Sequence, residues 1–167
     1  MNTRQRYHHF LSIYLSTRGF AFVLSEGSMN PLDWGYPEAR GPYKNEHVLA
    51  AIRSLVRRYL PDVLILEDVS HPRSHRSMRI QKLNASLCEF AQESGIPVVS
   101  VSREQVRQEF HPYGAETKDE IVEVIQERFP VFASYAPPVR MPWMNANARM
   151  ALFDAIAQLI TVGSMKL

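Results

Sequence analysis

Residues 61–83 read PDVLILEDVSHPRSHRSMRIQKL. A run of aliphatic residues ends in two acids, Glu67 and Asp68, and no further acid follows until Glu89. Arg73, Arg76, Arg79 and Lys82 arrive in that gap, with His71 and His75 among them. DVLIL, 62–66, has no polar alternation, which predicts a strand covered on both faces, as in a parallel sheet. Such a strand ends in negative charge and leads at once into positive charge. That order suits a cleft with acids at its centre and cations at its rim.

Outward from this stretch, the apolar, β-prone FLSIYL (10–15) is followed by STRG, whose Gly19 suits a tight turn, and by FAFVLSEG. The pair predicts a hairpin. DWGYPEAR (33–40) is read as a short third strand at a bend, given Gly35 and Pro37. From Asn45, the expected N-cap, Val48, Leu49, Ile52, Leu55, Val56 and Tyr59 recur at helical spacing. Residues 76–93 predict a helix stopped by Gly95 and Pro97, and PVVSV (97–101) another buried strand. SREQVRQEF opens on a capping box from Ser102 to Gln105. TKDEIVEVIQERF (117–129) is an amphipathic helix, Pro130 to Pro142 mark a loop, and 147–162 form a last helix capped by Asn147. An antiparallel start followed by βαβ units predicts an α/β protein with a mixed five-stranded sheet and helices on both faces. That layout fits a ribonuclease H-like fold.

The 167 residues suggest a single domain, 1–167, with residues 1–9 as a basic N-terminal arm. MNTRQRYHHF lacks the apolar stretch of a signal peptide. At 46% hydrophobic and 22% charged the chain is an ordinary globular protein. Its formal net charge is only +2, so an argument for a nucleic-acid partner must rest on where the charges sit. The single cysteine, Cys88, excludes an internal disulfide and suggests a cytoplasmic setting. Cys88 itself is expected to serve as a buried small hydrophobe. No apolar run approaches the ~20 residues that cross a membrane.

These segments resemble the RuvC-type Holliday junction resolvases of the ribonuclease H-like superfamily. SREQVRQEFHPYGAETKDEIVEVIQERFP, 102–130, is similar to the family's PxxVK … G-x-G-x-A-x-K-x-x-V segment through Val106, Arg107, Gly114, Ala115 and Lys118. LSIYLSTRGFAFVL resembles the GIDPGxxxxGYAVL hairpin, and FDAIAQLI the ADALALAI helix. The resemblance spans nearly the whole chain. It places Glu67 and Asp154 on catalytic carboxylate positions, with Lys118 beside them, and it puts Tyr14 where the family has its strand-one aspartate. The family's further acid near the start of the last helix falls among Asn145, Ala146, Asn147 and Ala151.

Nucleases of this fold are understood to use two Mg²⁺ ions about 3.5–4 Å apart. The resemblance therefore implies Mg²⁺, or Mn²⁺ as a substitute, held by Glu67, Asp154 and, weakly, the Asn147 amide. Tyr14 opposes this, because a neutral phenol is a poor ligand for a hard cation. Taken alone, Glu67 could be a surface acid at a strand end, Asp68 a local cap and Tyr14 an aromatic core residue with a hydrogen-bonded hydroxyl. An unpaired Asp154 buried in an apolar helix would be costly, so it must face a cleft or be paired. His71 and His75 lack further ligands for zinc. Arg73, Ser74, Arg76, Arg79, Lys82 and Arg107 are the expected DNA-binding residues, with Arg76 and Arg79 on one side of a helix.

Taken together, the resemblance and its missing acids imply a RuvC-like homodimer that binds branched or structured DNA with impaired or lost nuclease activity. An active Mg²⁺-dependent junction endonuclease and a scaffold that binds no nucleic acid are the alternatives.

Overall fold

A computed structural model describes residues 9–71, 74–138 and 148–165. Residues 1–8 of the expected arm, Arg73 and Asn147 lie outside them, and His9, expected as the last residue of that arm, opens the first strand. The chain forms β1 (His9–Ser16), β2 (Gly19–Glu26), β3 (Asn30–Gly35), α1 (Lys44–Tyr59), β4 (Val63–Glu67), α2 (Met78–Glu93), β5 (Val98–Val101), α3 (Arg103–Phe110), α4 (Lys118–Arg128) and α5 (Ala148–Gly163). Short 3₁₀ turns follow α3 and α4. The five strands lie in the order β3-β2-β1-β4-β5. β1 to β3 pair antiparallel, whereas β4 runs parallel to both β1 and β5.

Alternation along the strands sorts the core into two layers. Leu11, Ile13 and Leu15 of β1, Phe20, Phe22 and Leu24 of β2, and Leu64 and Leu66 of β4 pack with Val48, Ile52 and Val56 of α1 and Leu83 and Leu87 of α2. The opposite parity, Ala21, Val23, Ile65 and Val101, packs under α5 with Phe110 of α3 and Ile121, Val122 and Ile125 of α4. Phe10 and Tyr14 border that second layer. α5 lies between the sheet and α3 and α4, which is why its sequence is apolar almost all round. Leu87 is fully buried. Leu87→Ala is therefore expected to cost about 2–5 kcal/mol in urea unfolding; a loss within ~0.5 kcal/mol would contradict this packing.

Gly19 closes the β1–β2 hairpin at φ 150°, where an added Cβ would lie 2.2 Å from the Pro37 carbonyl oxygen. Backbone approach therefore demands glycine here. Three boundaries differ from the sequence expectation by two residues or more. β3 spans Asn30–Gly35 rather than 33–40. α1 begins at Lys44 without a side-chain cap, because the Asn45 amide is engaged with Arg79. α2 begins at Met78, since Ser77 caps it by accepting from the Ile80 amide, and Arg76 therefore precedes the helix. Capping boxes at Ser102 and Thr117 fix the starts of α3 and α4. No helix among the described residues is long and apolar enough to cross a membrane.

Candidate functional site

β1, β4 and β5 run the same way, so their carboxyl ends share one edge of the sheet. Open α/β sheets bind ligands at that edge. The register pairs Ser12 with Ile65. Two residues further along each strand, on the same face, come Tyr14 and Glu67. α5 crosses this face and is pinned to β1: the Ser12 hydroxyl donates to the Ala155 carbonyl at 2.7 Å, and the Gln158 amide to Ser12 Oγ at 3.2 Å and to the Ile13 carbonyl at 3.0 Å. That docking carries Asp154 to the strand ends. Tyr14, Glu67, Lys118 and Asp154 line one cavity, joined there by Arg103 and Arg107.

Each carboxylate is already matched to a cation. Arg76 reaches in from the loop before α2. Its Nη1 donates to the Tyr14 hydroxyl at 2.7 Å and to Glu67 Oε2 at 3.3 Å, and its Nη2 donates to the Leu15 carbonyl. The side chains of Arg76 and Glu67 are only 15% and 14% exposed. Lys118 Nζ lies 3.1 Å from Asp154 Oδ2 and 5.7 Å from the centre of the Tyr14 ring. Tyr14 is thus flanked by a guanidinium and an ammonium, both within cation–π reach.

Burial pushes the Glu67 carboxyl above its ordinary range, against the pull of Arg76 and Arg103. Burial does the same to Asp154, with Lys118 working against it. For Lys118, burial is outweighed by Asp154 and Tyr14, so the ammonium holds its proton more tightly than usual. Burial, then Asp154, push the Tyr14 phenol up, so it is neutral at physiological pH.

A pH dependence follows with a definite sign. Both carboxyls bind their protons more tightly folded than unfolded, so falling pH favours the folded state as it passes through the raised values, and the gain is complete below the unfolded range. The stability of the wild type relative to a Glu67→Gln/Asp154→Asn variant should therefore rise as the pH falls toward the ordinary carboxylate range. Urea unfolding at fixed ionic strength reads this, and a pH-independent difference would contradict it.

Of the residues expected to bind DNA, Ser74, Arg76 and Arg107 line a second cavity that shares Glu67, Arg103 and Arg107 with the first. Ser74 Oγ is buried there without a hydrogen-bond partner among the described residues. Arg79 is committed to the structure, donating to the Ser16 carbonyl and to Asn45 Oδ1, so it ties α2 to β1 and α1. Lys82 is exposed on α2 and lines neither cavity. The expected side shared by Arg76 and Arg79 on one helix is not formed, because the Ser77 cap starts the helix after Arg76. Asp68 accepts from the Ser70 amide and hydroxyl, a local turn. Cys88 is half-buried on α2.

Sequence reasoning missed Arg103, which lines both of these cavities and a third that contains Tyr14, Arg76, Lys118 and Asp154. It also missed Gln158, a buried polar residue four positions after Asp154.

The donor set does not fit a two-ion metal centre. Glu67 and Asp154 are held by cations, and Tyr14, the third group at the strand ends, is a neutral phenol. Among the described residues no three His, Cys, Asp or Glu side chains are grouped to hold a metal ion.

The overall fold is that of the RuvC-type resolvases. Superposition on Thermus thermophilus RuvC in complex with a Holliday junction substrate gives a TM-score of 0.66 at 15% identity, covering 92% of each chain. T. thermophilus RuvC in a second structure gives 0.64 at 16%, again over 92% of each chain. The yeast mitochondrial Holliday junction resolvase Ydc2 gives 0.60 at 11%, over 94% of this chain and 78% of that one. Neither a family model nor a curated protein sequence matches the chain.

Proposed function

We propose that this chain is a single-domain, RuvC-like homodimer that binds branched or structured DNA across the carboxyl edge of its sheet, with phosphodiester cleavage impaired or lost. The observation that carries this reading is the pairing of both site carboxylates with the chain's own cations, Arg76 on Glu67 and Lys118 on Asp154. A metal-dependent nuclease needs those oxygens free for hard cations. Here they neutralise fixed side chains instead, and the groove keeps its basic rim. Arg103 and Arg107 lie one turn apart on α3, both exposed, and neither forms an ion pair among the described residues. Both are exposed to meet phosphates, while Arg103 also favours the charged forms of Glu67 and Asp154. A protein of the same fold holding a Holliday junction supports branched DNA as the ligand.

The test is gel-shift binding of a four-way junction and of linear duplex with the same arms, in EDTA and in Mg²⁺. Binding of the junction in preference to the duplex is expected, and it should be indifferent to EDTA. Arg103→Ala combined with Arg107→Ala should flatten the plot of log affinity against log salt by about 0.9 for each phosphate that is no longer neutralised. An unchanged slope would remove these residues from the interface. Absence of junction binding at low salt would leave the scaffold reading, and EDTA-sensitive binding with cutting would favour the active nuclease.

A further inference from the structure

Tyr14 stands where the cations of the site converge. It is half-buried and forms a wall of two cavities, of about 350 and about 690 Å³, and both are also lined by Arg103, Lys118 and Asp154. Among the described residues its hydroxyl oxygen accepts from Arg76 Nη1 at 2.7 Å, and its own proton goes to no acceptor. The donor side of the hydroxyl is therefore uncommitted.

The groups around it supply what a phosphoryl transfer needs. The first need is positive charge against the phosphate oxygens. Arg76 sits on the Tyr14 hydroxyl, and the exposed Arg103 reaches both cavities. The second is an acceptor for the phenol proton. Arg76 Nη1, which donates to Tyr14, also donates to Glu67 Oε2 at 3.3 Å, so the carboxylate and the phenol oxygen flank one nitrogen. The third is an acid for the departing oxygen. Lys118 Nζ lies 5.7 Å from the centre of the Tyr14 ring and gives one of its three protons to Asp154. Tyrosine is among the side chains that can carry a covalent intermediate when so activated.

We infer that Tyr14 is a nucleophile toward a DNA phosphodiester, in a metal-independent strand transfer that forms a phosphotyrosine link. The Tyr14 oxygen bonds to phosphorus and the phenol proton passes to Glu67. The bond from phosphorus to one strand end breaks, and the departing oxygen takes a proton from Lys118. Arg76 and Arg103 hold the charge on the phosphate. One ester is exchanged for another, so the step consumes no water and no redox partner. Burial, then Asp154, push the phenol up, so its proton leaves during the attack and not before it. The freed hydroxyl can attack in reverse and reseal the strand, so an intact junction accumulates no cut product. This rests on the DNA-binding reading for its substrate, and it is a different reaction from the hydrolysis that reading denies.

The test has two arms, the first independent of junction binding. The full chain in EDTA is mixed with bis(p-nitrophenyl) phosphate, an activated diester. A burst of p-nitrophenol approaching one equivalent is expected, with the phosphoryl group placed on Tyr14 by peptide mass mapping. Tyr14→Phe keeps the ring and should abolish the burst. The exposed Arg103→Ala should slow it about 100-fold, the scale of one donor lost from transition-state charge, and it keeps the test valid if Tyr14→Phe does not fold. No adduct, or an adduct on another residue, overturns the inference. The second arm uses a four-way junction nicked beside the branch, so that the freed piece diffuses away, labelled at both ends and quenched with SDS in EDTA. A protein-linked strand is expected with the wild type and not with Tyr14→Phe, and the label retained shows which oxygen leaves. Lys118→Ala should slow the linkage about 100-fold. It should match the wild type where sulfur replaces the leaving oxygen, because a thiolate departs without a proton; equal loss on both substrates overturns the role of Lys118. Junction binding without linkage overturns the nucleophile. A Tyr14 adduct from the small diester without junction binding overturns the DNA-binding reading alone.

Discussion

Arg76→Met is expected to lower the unfolding free energy by about 3 kcal/mol, the scale for breaking a buried ion pair by removing one partner. Three acceptors lose their donor at once: the Tyr14 hydroxyl, the Glu67 carboxylate and the Leu15 carbonyl. The cost comes mainly from Glu67, left as a carboxylate only 14% exposed. If so, removing that charge should restore most of the stability. Arg76→Met with Glu67→Gln should sit within about 1 kcal/mol of the wild type, because neutral groups of similar shape carry little desolvation penalty. Urea unfolding of the four proteins of this double-mutant cycle gives the coupling energy directly. A single variant within ~0.5 kcal/mol of wild type would show that the pair is not structural. The guanidinium would then be free to leave Glu67 for a phosphate.

The sequence made the scaffold and the acids of the site readable because both rest on short-range rules. The aliphatic run at 62–66 and the β-prone residues of FLSIYL and FAFVLSEG predicted the sheet, and a strand's period of two puts Tyr14 and Glu67 on one face once β1 and β4 pair in parallel. Asp154 stood out as the one acid in an apolar helix. The same reasoning applied one turn on would have reached Gln158, which shares its face at a spacing of four. Arg103 was also within reach: the Ser102–Gln105 capping box starts α3 at the very end of β5, which commits positions 103 and 107 to the strand-end edge. The true place of Arg76 was not legible. Its charge read as a DNA-binding group on a helix side shared with Arg79, and only the Ser77 cap, which ends the loop one residue later, frees it to fold back onto Tyr14 and Glu67. Arg79 looked equivalent in sequence and is structural, because its partners, Ser16 and Asn45, come from distant parts of the chain.

Purified protein is expected to leave four-way junctions uncut in Mg²⁺ or Mn²⁺, and the geometry dictates what repair would take. Tyr14→Asp alone should not restore cutting. The new carboxylate would stand beside the guanidinium that now donates to the Tyr14 hydroxyl at 2.7 Å, and would pair with it in preference to a metal. Removing Arg76 alone leaves the neutral phenol at the centre. Tyr14→Asp with Arg76→Ser should free two carboxylates, Glu67 and the introduced one. A further acid is available in principle at Ala151, which lines the same cavity as Tyr14 and Asp154 and lies one helical turn before Asp154. The triple variant Tyr14→Asp/Arg76→Ser/Ala151→Asp is therefore expected to cut on the order of 100-fold faster than the wild-type background, equivalent to about 2.7 kcal/mol of barrier. Its rate should depend on divalent ion and fall again with Glu67→Gln. Junction cleavage by wild type, the two partial variants and the triple, each with and without EDTA, separates these outcomes. Robust Mg²⁺-dependent cutting by the wild type, abolished by Glu67→Gln, would mean that Arg76 and Lys118 yield the carboxylates to metal when DNA arrives, and the protein would be an active resolvase.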